Sequence, residues 1–325
     1  MNVSRRNYLH LAAGAATLPA VSRLAWTQTY PSRPVHIVVP FAAAGTTDVA
    51  ARLIGQWLSE RLGQQFVVEN RPGAGTNIGI EAVVRAPPDG HTLLMTDPSP
   101  TIGATLYDNL NFNFIRDIAP VSVVLRSPFV IVVNPAIPAR TIAEFITYAK
   151  ANPGKVNVGS AGTGSTQHVA GELFKMMVAL DMVHVPYRGG GPALTDLIAG
   201  QIQVLFLPPA ISIEHIRAGR LRALAVTTAN RFEALPDIPS VREFVADYEA
   251  STWFGVGAPR STPADIVDKL AQETARILDE PTMRAKLEEQ GAEPAYRSPA
   301  AFSAFIADET KRFSRIVDDI KLRVD

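Results

Sequence analysis

An α/β fold of two lobes, each a mostly parallel sheet flanked by helices, is predicted by three observations. The chain has 325 residues, more than one compact core usually holds, so it is expected to divide. Runs rich in β-branched residues alternate with segments of helical periodicity, the pattern of βαβ units. Four passages from strand to helix are rich in Gly, Ser or Thr, the chemistry of loops at the carboxyl ends of parallel strands.

Taken in order, "PVHIVVPF" (residues 34–41) reads as a strand, and residues 48–62 place Val49, Leu53, Trp57 and Leu58 on one helical stripe. "QFVVEN" and "HTLLMTD" are two further strands, separated by "RPGAGTNIGIEAVVRAPPDG", whose middle is a short helix entered through glycines. "SPFVIVVNP", "KVNVGSAG", "MVHVPY", "IQVLFLP" and "LRALAVTT" continue the strand pattern. From residue 263 to residue 324 the sequence reads as nearly all helical, with helix starts at "TPAD" and "SPAAF".

Composition narrows function. Lysine plus arginine equals aspartate plus glutamate at 31 each, which gives no basic excess for nucleic acid or an anionic membrane surface. Residues 1–25 read as an export signal: a charged start, an apolar run and small residues before a polar exit. Arg5 and Arg6, followed by Asn7, Tyr8 and Leu9, resemble the twin-arginine pattern, against the alternative of an ordinary secretory signal. Cleavage would remove Arg5, Arg6 and Arg23, leaving 28 basic against 31 acidic groups in an exported, periplasmic chain. The absence of cysteine excludes a disulfide framework and a lipidated amino-terminal cysteine.

The Gly-, Ser- and Thr-rich junctions fall at residues 44–48, 73–79, 159–166 and 189–192. Loops there line a crevice into which helix amino termini present free N–H groups and partial positive charge, an arrangement that favours an anion. Each such bond is worth roughly 0.5–1.5 kcal/mol net, whereas micromolar affinity needs about 8 kcal/mol. One loop is too little, so a cleft between two lobes, each supplying helix termini, is the expected design.

Enzyme signatures are weaker. No lysine follows these glycines as a nucleotide loop requires, and "GAGTNIG" misses the dinucleotide spacing. Ser99, Ser160 and Ser165 lack the flanks of a nucleophile elbow. A Ser165–His168–Asp196 set can be assembled on paper as a serine hydrolase, but N-capping explains the first pair without catalysis. The six histidines are scattered, so neither a metal nor another cofactor is expected.

"VENRPGAGTNIG", "DIAPVSVV", "YAKANPGKVNVGSAGTGSTQH", "MVHVPYRGGGPALTDLIAGQI", "IRAGRLRALAVTTANR", "LPDIPSV" and "YEASTWFGVGAP" closely resemble the substrate-binding proteins of tripartite tricarboxylate transporters, also called the Bug receptor family. The resemblance runs in register over the chain after the signal. It implies a two-lobed periplasmic binding protein of the Venus-flytrap kind with two crossover strands. Lobe one would hold residues 31–127 plus 252–325 and lobe two residues 128–251, with Ser127, Pro128 and Thr252 as hinge positions. Such a receptor, expected as a monomer, captures a small carboxylated solute and delivers it to a tripartite tricarboxylate-type membrane permease, or reports it to a sensor protein. No nucleic acid partner is implied.

The resemblance also implies a ligand site. From lobe one it assigns Phe41, Ala44, Gly45, Thr46 and Asp48 in "PFAAAGTTD", then Asp97 and Ser99 in "MTDPSPT". Ala44 stands where relatives commonly have glycine, which weakens the expectation of a left-handed backbone there. Asp97 reads equally well as a turn cap. From lobe two it assigns Ser160, Gly162, Thr163, Gly164, Ser165, Thr166 and His168, then Tyr187, Arg188 and Gly189, with Ser165 or Thr166 as helix cap and the loop amides exposed to the ligand. Leu207 falls where many relatives carry an acidic or polar residue, so amino acids are expected to bind poorly and dicarboxylates or aromatic acids better.

Overall fold

β-branched runs set between glycine- and proline-rich turns become strands, and the stripes between them become helices. In a computed structural model, which describes residues 30–107 and 109–323, the chain begins with β1 (Val35–Val39), α1 (Thr46–Leu62), β2 (Phe66–Asn70), α2 (Asn77–Val84), β3 (Thr92–Thr96), α3 (Ser99–Leu106), α4 (Phe114–Asp117) and the long β4 (Ile118–Pro128). There follow β5 (Val130–Val133), α5 (Ile142–Ala151), β6 (Asn157–Ser160), α6 (Thr166–Val178), β7 (Val183–Pro186), α7 (Gly190–Ile198), β8 (Val204–Leu207), α8 (Pro209–Arg217) and β9 (Arg222–Val226). The chain continues through β10 (Ser251–Pro259), α9 (Ala264–Asp279), α10 (Pro281–Glu289), β11 (Glu293–Arg297) and α11 (Pro299–Asp319). The expected export signal lies outside the described residues.

Local chemistry fixes the helix limits. Ser165, Thr141 and Ser298 accept main-chain N–H bonds as N-caps of α6, α5 and α11. Gly63 ends α1 in the left-handed conformation, its N–H donating to Ser59 O.

Two sheets result, with strand orders β11-β4-β10-β3-β1-β2 and β7-β6-β8-β5-β9. In the first, β1 runs parallel to β2 and β3, while β10 is antiparallel to β3 and β4, and β11 to β4. In the second, β6 is parallel to β7 and β8, while β5 is antiparallel to β8 and β9. The sheets are therefore mixed, not mostly parallel as the sequence suggested. The reason is topological: β10, which brings the chain back into the first lobe, and β5, which opens the second, run against their βαβ neighbours, and only β2-β1-β3 and β7-β6-β8 pair in parallel.

The helical reading of the carboxyl-terminal region also needs correction, because β11 interrupts it. Its "EPAYR" sequence is poor in β-formers, but it sits at a sheet edge, pairing only with β4, where proline is tolerated.

Each lobe has its own core. Val38, Ile80, Leu94, Trp253, Phe302 and Ile306 pack together in the first. In the second, alternate residues of β8 bury on opposite faces, Val204 and Phe206 toward one cluster, Leu205 and Leu207 toward another, as expected of a strand covered on both sides. Between the lobes, Thr227 ties both passages of the chain. Its hydroxyl accepts from Phe129 N–H at 2.8 Å and donates to Ala250 O at 2.6 Å.

Candidate functional site

The strand ends that carry the glycine-rich loops face one another across the two lobes, and the lobes are closed. Ala42 N–H donates to Arg188 O at 2.8 Å, a main-chain bond from one lobe to the other. Beside this contact lies a small chamber of about 20 Å³, lined by Phe41, Gly45, Thr46, Thr47, Asp97, Phe129, Ala161, Thr166, Gln167, Gly190, Pro208, Thr252 and Phe254. It has room for about one water-sized group.

The lining is defined by helix starts. Thr46 and Thr47 begin α1, Thr166 and Gln167 begin α6, Gly190 begins α7, and Pro208 is the N-cap of α8. First-turn amides have no carbonyl one turn earlier to bond, and each helix start carries roughly half a positive charge. Four such starts on one small chamber make a site for an anion. The Thr46 hydroxyl, buried there without a hydrogen-bond partner, adds a polar group at the same place.

The loops reach this geometry by bracing their own amides. In lobe one, Ala44 N–H donates to Asp48 Oδ2 at 3.0 Å, and Asp48 also takes bonds from Arg52 and Asn70. Burial works to raise the Asp48 carboxyl, but the bonds from Arg52, Ala44 N–H and Asn70 together hold it below the ordinary carboxylate value. Ala44 is left-handed after all, with φ 63°, although it lacks glycine's freedom; the Asp48 brace offsets the strain. In lobe two, Ala161 N–H donates to Gln167 Oε1 at 2.8 Å, Gly162 N–H to Ser160 Oγ at 3.1 Å and Gly164 N–H to His168 Nδ1 at 3.2 Å. The expectation that this loop offers its amides to the ligand is thus corrected: these three are used internally, and the α6 start is what faces the chamber. Gly162 is needed for its backbone, with φ 132°, and because a Cβ there would come within 3.0 Å of Tyr187 O.

Beneath the lobe-two loop, His168 and His184 stack with ring centroids 3.6 Å apart and planes 12° from parallel. Ser160 Oγ lies 2.7 Å from His184 Nε2. Burial, with the neighbouring ring and Lys175 adding to it, depresses His168 to about 3, and burial with Lys175 depresses His184 to about 4. Both rings are therefore neutral at ordinary pH.

An open cleft of about 520 Å³ lies alongside the chamber, sharing Phe41 and Ala161 with it. Pro40, Pro72, Ala74, Thr76, Ile78 and Tyr107 line it from lobe one, and Gly162, Thr163, Ser165, Pro186, Tyr187 and Arg188 from lobe two. Its walls mix polar and apolar groups, with the exposed Arg188 the basic side chain among its lining residues. Tyr187 is fixed by donating its hydroxyl to Asp196 at 2.7 Å.

Ten sequence-assigned residues line these two spaces: Phe41, Gly45, Thr46, Asp97, Gly162, Thr163, Ser165, Thr166, Tyr187 and Arg188. Eight do not. Ala44, Asp48, Ser160, Gly164 and His168 form the bracing just described. Ser99 begins α3, its N–H donating to Asp97 Oδ1 at 2.9 Å, so Asp97 is a turn cap and a chamber residue at once. Gly189 precedes α7, where Ala42 N would lie 3.0 Å from an added Cβ. Leu207 is the plain correction: it pairs with Val130 and is fully buried in the lobe-two core, so the argument against amino acids drawn from it falls. Pro208, one residue on, lines the chamber instead. The junctions at residues 73–79 and 189–192 were read from the sequence as crevice loops, and they supply one wall of the cleft and Gly190 of the chamber, though none of their residues but Gly189 was assigned to the site. Thr252 was assigned only to the hinge, and Thr47, Gln167, Tyr107 and Pro208 were missed. The pair "PP" directly after a strand was a readable signal of a helix start there.

This frame and its chamber define a two-lobed solute-binding protein of the periplasmic type. The chain belongs to the tripartite tricarboxylate transporter receptor family, whose model matches residues 50–322. It is 36% identical to the protein BugT of Bordetella pertussis over 292 residues, covering 89% of this chain and 90% of that one. Among solved structures, R. palustris Rpa4515 with adipate aligns at 37% identity and TM-score 0.88, covering 90% of this chain and 99% of that one. MatC from Rhodopseudomonas palustris with bound malate aligns at 31% identity and TM-score 0.84, covering 89% and 100%. Family and structural neighbours are solute-binding receptors, and this chain is a receptor, not an enzyme.

Proposed function

We propose that the chain captures a small carboxylate between its lobes in the periplasm and delivers it to a membrane permease of the tripartite tricarboxylate type. The observation that carries this reading is the convergence of the α1, α6, α7 and α8 starts on one small chamber. One carboxylate of the ligand reaches an oxygen into that chamber and the rest of the ligand extends into the larger cleft. Aromatic and proline side chains there, among polar ones and with Arg188 in the lining, suit a dicarboxylate or an aromatic acid. The adipate and malate bound to two relatives support a dicarboxylate. Residues 31–127 plus 252–325 and residues 128–251 move as the two bodies, with Ser127, Pro128 and Thr252 at the hinge, where Thr252 pairs with Ser127. Export with cleavage of a twin-arginine-type signal brings the chain to the permease as a monomer.

A thermal-shift screen against a carboxylate panel tests the reading. Ligand at 100 times its Kd stabilises by about 2.7 kcal/mol, which one or more acids should deliver. A panel in which no acid raises the melting temperature would remove the capture function.

A further inference from the structure

Asp97 stands out in the chamber because it is an acid in a place built for an anion. It is 5% exposed, follows β3 and lines the chamber directly. Its neighbours across that space are uncharged: Thr46 and Thr47 on α1, Gln167 on α6, Gly190 on α7 and Thr252 on β10. The titratable groups next along those elements are already engaged. Asp48 is bonded to Arg52 and Asn70, His168 is stacked on His184, and Asp196 on α7 accepts from Tyr187. The first turns of α3 and α8 contain no acidic residue, and no basic side chain lines the chamber.

A ligand carboxylate at these helix starts that reaches an oxygen into this space of about 20 Å³ comes against the Asp97 carboxyl that lines it. Two carboxylates so close, with no cation between them, do not both stay ionised; they share one proton. We propose that Asp97 binds the ligand in its protonated form, donating its carboxyl O–H to the bound carboxylate, so that each capture takes up one proton from solvent. The step is a proton transfer from water or buffer to an Asp97 oxygen, with no other bond made or broken. It rests on the carboxylate-capture reading above and names the chamber residue that selects among acids. Burial, against the pull of the bonds from Ser99, holds the Asp97 carboxyl up at about 6, so the proton is within reach near neutrality. An ammonium-bearing ligand would instead pair with ionised Asp97 and need no proton.

Calorimetric titration of the protein with adipate at about pH 7.5, repeated in buffers of different ionisation enthalpy, reads proton uptake directly. About one proton per adipate is expected for the wild type, and affinity should fall by up to about tenfold per pH unit above neutrality. Asp97→Asn, which keeps a donor, should bind adipate with no proton uptake and a flat pH profile. Adipate binding with no proton uptake by the wild type would overturn the role of Asp97 while leaving carboxylate capture intact. Aspartate binding tighter than adipate without proton uptake would overturn it as well, by showing the carboxylate paired with an ammonium. If no acid binds at all, both readings fall. The wild-type buffer series needs no variant to fold.

Discussion

The two loops that face each other across the chamber reach one geometry by different chemistry. Lobe one holds its loop with a charged brace, Asp48 on Ala44 N–H, and accepts a left-handed alanine. Lobe two uses glycines in the strained places and neutral braces, Gln167 and His168, on its amides. In both, the bracing side chain comes from the first turn of the following helix. The braced loop amides are thus committed to shape, and the helix starts remain to hold the proposed anion. The Asp48 charge is compensated by Arg52, with Arg52 Nη2 3.0 Å from Asp48 Oδ1, so neither brace sets a bare charge against the ligand.

The comparison breaks most sharply where the loops touch. Gly191 is in α7, and a Cβ there would lie 2.6 Å from Ala43 O and 3.1 Å from Ala44 C, main-chain atoms of the opposite lobe. Gly191→Ala should cost roughly 3 kcal/mol on closure, weakening adipate binding by about 100-fold. Its unliganded melting temperature should stay near that of the wild type if the lobes can open; calorimetry and a melt together check this.

Removing the charged brace comes next. Asp48→Ala leaves Ala44 N–H, Arg52 and Asn70 without their shared acceptor and should lower unfolding stability by about 2 kcal/mol, read from the urea midpoint. Adipate binding should weaken as well, because the lobe-one loop loses its support.

The neutral braces give lobe two a pH sensitivity. The unfolded chain takes up protons on His168 and His184 below about pH 6.5, while the folded state refuses them until about 3 and about 4, respectively. Stability is therefore present above pH 6.5 and lost as pH falls, by about 1.4 kcal/mol per histidine per pH unit. Asp97 works in the opposite sense, since its folded-state value is raised and it gains a proton in the same window, but one group offsets only part of two. Urea midpoints at about pH 7 and about pH 5 should show the net loss, and His184→Gln should reduce it.

The smallest effect belongs to the strained alanine. Ala44→Gly relieves about 1–2 kcal/mol of left-handed cost but adds about 0.5–1 kcal/mol of chain entropy, a net gain of about 0.5 kcal/mol. A matching Gly164→Ala change, at φ 78° with Leu106 3.0 Å from the new Cβ, should instead destabilise.

Much of this was legible in the sequence, for identifiable reasons. Strands such as "PVHIVVPF" and "IQVLFLP" are punctuated by glycine and proline, and the junction glycines mark the loops on both sides of the chamber. Sheet direction was not legible, because antiparallel pairing of β4, β5 and β10 follows from the chain passing between lobes. The inward or outward sense of a side chain was hidden too. Leu207 and Pro208 are adjacent, yet one is in the core and the other in the chamber, and only the pairing of β8 with β5 decides which. Ser160 and His168 were placed at the right loop, but their roles as braces depend on His184 and on amides that sequence spacing cannot locate.

The central claim is that an anion is held at the converging helix starts. Calorimetric titration with adipate and with its neutral diamide, which has the same length and shape, tests it directly. Adipate should bind and the diamide should bind at least about 100-fold more weakly, a difference of about 2.7 kcal/mol. Equal affinities for the two would contradict the account.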